Sequence, residues 1–128
     1  MTSRKILYLF IAFVICYLAI GIAYWQIPYS KASLPDALYS FGLFLTFSSA
    51  LFFSARGTGF LWSAAIFGSC APAAVATRII MDIAQDDSTH NLFPFEIAIA
   101  VIIGFSISGL GAMFGVLAGK IFKRITKR

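Results

Sequence analysis

Residues 6–25 contain no charged side chain, and three further stretches, about 34–54, 60–82 and 94–122, are almost as apolar. A helix needs about 20 apolar residues to cross a hydrocarbon layer roughly 30 Å thick, and the crossing segment must be helical because lipid offers backbone N–H and C=O groups no partner. The chain is therefore expected to be all-α: one integral membrane bundle of four transmembrane helices occupying residues 1–128, with spans at about 6–25, 34–54, 60–82 and 94–122. A hydrophobic fraction of 60% argues the same way, since soluble domains lie at roughly 45–50%.

The first span also resembles a secretory signal, with Arg4 and Lys5 before an apolar run and small residues Gly21 and Ala23 near its end. The run is longer than the roughly 7–15 residues of a signal. It ends on Tyr24 and Trp25, a pair suited to the membrane interface, so an uncleaved anchor is expected. Ser33, Pro35 and Asp36 read as cap and first turn of the second helix. Residues 56–59, Arg-Gly-Thr-Gly, form a turn so short that it can only join two antiparallel helices.

In the third helix, Ala65, Ser69, Ala73 and Thr77 recur every fourth residue, which would admit a second backbone. Pro72 cannot donate to the Gly68 carbonyl and should kink that helix. Pro94 and Glu96 mark the start of the last helix, long enough to tilt or to emerge from the membrane.

Orientation follows from the basic residues. In a four-span arrangement Arg4, Lys5, Arg56, Lys120, Lys123, Arg124, Lys127 and Arg128 share one side, and only Lys31 and Arg78 fall on the other. Basic residues favour the cytoplasmic face, so both termini are expected inside, in a plasma membrane such as the bacterial inner membrane. The basic last turn also suits an anionic cytoplasmic leaflet. Five charges with a single aromatic, Phe122, among them make a poor nucleic-acid footprint, and no nucleic-acid partner is expected.

Three features could exceed packing. Arg78, Asp82 and Asp86 share one helix face if the helix continues that far, and His90 and Glu96 follow closely. This cluster is a candidate binding site or pathway mouth, although the simpler reading is that Arg78 snorkels to Asp82 while the loop residues, His90 among them, are solvated. Gly104, Ser108, Gly111, Gly115 and Gly119 line one face of the last helix as a double GxxxG, expected to pack inside the monomer or to hold an oligomer or a larger membrane protein. The third is the basic tail itself.

Catalytic patterns are sparse. No nucleophile elbow, phosphate-binding glycine loop or HExxH motif occurs, and a single histidine has no evident nucleophile to activate. Cys16 and Cys70 fall inside spans and read as packing residues rather than a disulfide or zinc ligands. No catalytic residue, metal or cofactor is therefore expected. The first span lacks the membrane-embedded glutamate by which small multidrug transporters are recognised. The sequence thus points to a non-catalytic accessory or protective membrane protein, with an oligomeric channel or transporter for a small solute or cation as the alternative.

Overall fold

An uninterrupted apolar run makes the first helix, α1 (Ser3–Trp25), of the computed structural model, which describes residues 1–34 and 36–127. The helix buries only a stripe formed by Leu9, Cys16, Ile20, Gly21 and Tyr24, and leaves Ile6, Phe10, Ile15 and Ile22 outside. A helix apolar on every side is what lipid, rather than water, requires.

The chain continues through short 3-10 turns at Tyr29–Lys31 and Asp36–Leu38 to α2 (Phe41–Phe53), a π-type turn (Ser54–Thr58), α3 (Phe60–Gly68), α4 (Cys70–Gln85) and α5 (Phe93–Thr126). No strand occurs among the described residues. Three helical stretches, Ser3–Trp25, Phe60–Gln85 and Phe93–Thr126, are long and apolar enough to cross a membrane. The last has 34 residues and is about 50 Å long.

The second helix departs from expectation. It starts at Phe41 after Ser40, not near residue 34, and its 13 residues rise only about 20 Å. Ser33 lies well before the start of α2; its carbonyl accepts from Ala37 N at 2.9 Å in a turn, and Leu38 is then fully buried. Burying that leucine beside α1 overrides the local start signal. Pro35 lies outside the described residues.

The turn after α2 depends on two glycines. Gly57 and Gly59 adopt φ of +85° and +89°, the left-handed region that other residues enter at a cost. They reverse the chain, so α3 returns antiparallel to α2.

Between α3 and α4 the helix is interrupted at Ser69, whose hydroxyl donates to Ile66 O at 2.8 Å. Pro72 has no N–H to offer the Gly68 carbonyl, and that oxygen instead meets Gly104 of α5. The buried face continues across the interruption. It runs through Ser63, Ala64, Phe67 and Gly68, then Ala71, Ala74, Val75 and Arg78, while Ala65 is exposed and Ser69, Ala73 and Thr77 are half-buried. The expected stripe at residues 65, 69, 73 and 77 is therefore not the closest contact.

The small-residue row of α5 is filled within the chain. Gly111, Gly115 and Gly119 lie against the carbonyls of Phe47, Leu51 and Ala55, so α2 and α5 run parallel in constant register. Gly104 meets Gly68 O, and Ser108 Oγ donates to Ala64 O at 2.9 Å, which sets α3 antiparallel to α5. Ser54 Oγ adds a bond to Ala112 O at 2.9 Å. On the other side, α1 pairs with α2 through Ile20 against Gly42 and with α4 through Tyr17 Oη and Thr77 Oγ1, 2.7 Å apart. Both cysteines are buried and free.

These contacts gather the described residues at both termini and the 54–58 turn at one end of the bundle. The 26–40 and 86–92 connections occupy the other.

Glycines of the same helix should respond oppositely to a methyl group. Gly104→Ala and Gly115→Ala drive a carbon into a backbone carbonyl and should cost about 1–3 kcal/mol. Gly109 has open space around it, so Gly109→Ala should gain about 0.5–1 kcal/mol from helix propensity. Unfolding in detergent micelles measures both signs.

Candidate functional site

Polar side chains from three helices and two connections converge at the loop end. Arg78, on the last turns of α4, is 5% exposed. Its Nη1 donates to Tyr24 O at 2.7 Å, a carbonyl that also accepts from Ile27 N at 3.2 Å, and its Nη2 donates to Ile27 O at 2.5 Å, just past the C-terminal end of α1. Its Nε donates to Asp82 Oδ2 at 3.2 Å, and the guanidinium lies 4.7 Å from the centre of the Tyr24 ring. Arg78 is thus a buried clamp between α1 and α4 and does not snorkel outward. Tyr24 and Trp25 also turn inward: Tyr24 is 2% exposed and Trp25 Nε1 donates to Ala74 O at 3.0 Å.

His90 is the second centre. It is buried, not solvated, at 2% exposure, and adopts φ of +55°. A residue with a Cβ held there costs about 1–2 kcal/mol, so its surroundings must fix it. They do so on three sides. Nε2 lies 2.7 Å from Asp82 Oδ2, Nδ1 lies 2.6 Å from Glu96 Oε2, and the ring meets Tyr29 edge-on at 4.6 Å between centres. The backbone N–H donates to Tyr29 Oη at 3.0 Å.

Two short contacts to carboxylates on one imidazole set the proton count. A neutral ring has one N–H, so one of the two contacts would oppose a lone pair to a carboxylate oxygen. The geometry is satisfied by an imidazolium between two carboxylates, or by a neutral ring with one carboxyl protonated. In the first case Arg78 and His90 balance Asp82 and Glu96, leaving the half-buried network without net charge. Chemically, such a ring can take a proton on one nitrogen and release one from the other. A cleft of about 110 Å³ lined by Tyr24, Tyr29, Leu34, His90 and Glu96 opens onto it.

Asp86 does not join this network. The helix ends at Gln85, and Asp86 takes an extended conformation with φ of −151°, which turns it off the Arg78–Asp82 face. Its Oδ1 accepts from Ser88 N at 2.9 Å and Ser88 Oγ at 2.7 Å, and these bonds hold its carboxyl below the usual carboxylate range. His90 is therefore partnered by Asp82 and Glu96, two acids from different helices. Among the described residues no three His, Cys, Asp or Glu side chains converge so as to hold a metal ion; each carboxylate addresses a different ring nitrogen. Tyr24, Tyr29 and the Ile27 carbonyl carry no sequence signal that would have placed them here.

The other candidates are placed elsewhere. Gly104, Ser108, Gly111, Gly115 and Gly119 contact α2, α3 and the 54–58 turn inside the chain, far along α5 from His90. Lys120, Lys123 and Arg124 are exposed on the last turns of α5 and Lys127 just past its end; Arg128 lies outside the described residues.

Removing either centre should be costly. Arg78→Met takes one charged donor from each of Asp82, Tyr24 O and Ile27 O and should cost about 3–5 kcal/mol. His90→Phe keeps a ring against Tyr29 but loses both carboxylate bonds, a loss of roughly 3 kcal/mol, whereas Asp86→Asn, at an exposed carboxyl outside the network, should have the smallest effect of the three. Chemical unfolding in micelles ranks the three. Comparison of the chain with protein-family models, with curated proteins and with solved structures returns no match.

Proposed function

We propose that this chain is a non-catalytic, multi-pass protein of the plasma membrane that crosses four times with both termini in the cytoplasm. It serves a larger membrane protein as an accessory or protective component, engaged through the loop end. Support for four crossings comes from α2, which lies along both α1 and α5 and connects the two ends of the bundle despite its short helix. The proposed orientation rests on Arg4, Lys5, Arg56, Lys120, Lys123, Arg124 and Lys127, gathered at the terminal end.

The observation that carries the functional reading is the Arg78–Asp82–His90–Glu96 network. It ties the 26–31 segment, α4, the 86–92 loop and α5 into one fixed surface, and outside it stand Asp86, Asp87, Asn91 and a leucine, Leu92, that is 64% exposed. A loop held in one conformation loses little entropy when a partner docks. The glycine row, by contrast, is occupied by α2 and α3, so the loop end is the surface left for a partner.

A solute or proton pathway is the second reading, favoured by the His90 bridge and the cleft that reaches it. The interior weighs against it. Within the bundle the hydroxyls of Thr46, Ser54 and Ser108 are turned onto its own carbonyls, and the buried hydroxyls of Thr58 and Ser63 that remain unpartnered are too few to line a path for an ion.

Extraction from the native membrane into nanodiscs, followed by native mass spectrometry, separates the readings. The accessory reading expects a stoichiometric larger protein, released by Asp87→Arg with Leu92→Glu while the chain stays folded. A homo-oligomer without partner, together with a flux abolished by His90→Phe, would replace it with the transport reading.

A further inference from the structure

We propose that the groove between the first turns of α1 and the end of α2 is a binding site for one anionic phospholipid, with its phosphate at the basic mouth and an acyl chain along the helices. The groove measures about 650 Å³. Its mouth holds Arg4, Lys5 and Arg56, and none of the three has an acidic partner among the described residues. All five acids of the chain, Asp36, Asp82, Asp86, Asp87 and Glu96, belong to the opposite end of the bundle or its connections.

Arg56 is not a free surface cation. Its guanidinium lies over the Phe52 ring, 4.4 Å from the centre, which holds the charge at the rim of the groove. Thr2 lines the same mouth and precedes an α1 whose first turn has neither an acid nor a side-chain cap, so unpaired N–H groups add to the positive field. Three cations with no counter-charge form the headgroup half of the site.

The walls complete it. Ile11, Ala12 and Ile15 follow Tyr8 on one face of α1, and Phe52 and Phe53 face them from α2. From Lys5 to Ile15 the face is about 15 Å long, directed from the mouth towards the bundle's middle. A soluble anion would use the cations and leave these side chains unused; a zwitterionic lipid would fill the walls and bring a further positive charge to the mouth. An anionic phospholipid satisfies both halves, and basic pockets between transmembrane helices bind such headgroups on the cytoplasmic side.

The inference rests on the membrane reading above, but not on orientation or on a protein partner. Native mass spectrometry of the full chain, released from detergent containing phosphatidylglycerol or phosphatidylcholine, tests it with no sidedness involved. One phosphatidylglycerol should be retained per chain in preference to phosphatidylcholine. Retention should fall about fivefold for each basic residue removed, in Arg56→Gln and in Arg4→Gln with Lys5→Gln, and to a similar degree in Ile11→Trp, which fills the groove without changing charge. Lys120→Gln with Lys123→Gln should leave it unchanged. Equal retention by Ile11→Trp, equal retention of the two lipids, or displacement by inorganic phosphate alone would each overturn the site. A lost protein partner with lipid retention intact would sink the accessory reading only.

Discussion

Lipid tails are as apolar as leucine, so helices in a membrane gain little by hiding side chains from their solvent, and close backbone contact has to hold them together. In this chain that contact is made by α5, whose small residues let its backbone reach the carbonyls of Phe47, Leu51, Ala55 and Gly68. Cα–H groups facing carbonyl oxygens contribute about 0.5–1 kcal/mol each, and the van der Waals contact around them adds more. The parallel register of α2 on α5, the antiparallel α3 and the gathering of the termini at one end all follow. A larger side chain in this row would separate the helices and undo the arrangement at both ends.

Pro72 belongs to the same scheme. By failing to donate, it leaves the Gly68 oxygen for Gly104, and further along α4 Arg78 reaches the end of α1. Backbone packing near the middle of the bundle thereby positions the polar network at its loop end. There charge replaces close packing: a guanidinium on two helix-end carbonyls, and an imidazole held between two carboxylates in a backbone conformation it would not otherwise keep. The opposite end carries unbalanced cations beside an apolar groove. The network at one end is self-neutralising, and the cations at the other are complementary to an anion.

The helical class was legible in the sequence because lipid leaves the backbone few alternatives; residues 6–25 could hardly form anything else. The pairing of Arg78 with Asp82 was legible too, being local at i, i+4. Where distant groups decide, local signals failed. The 33–36 start signal yielded to the burial of Leu38, and Asp86 left its helical face because the helix stops at Gln85. His90 passed for a solvated loop residue because its partners, Tyr29, Asp82 and Glu96, meet only after three segments come together. GxxxG spacing marked the glycine face as a contact without saying with what, since a row of small residues accepts a helix of the same chain as readily as one of another.

That ambiguity is the point on which the account turns, and an isotope-filtered NOE experiment on mixed labelled and unlabelled chains in micelles addresses it directly. Cross-peaks from the α-protons of Gly111 and Gly115 to Phe47 and Leu51 should arise entirely within labelled chains. Peaks linking these glycines to residues of unlabelled chains would make the row an interface between copies and contradict the fold described.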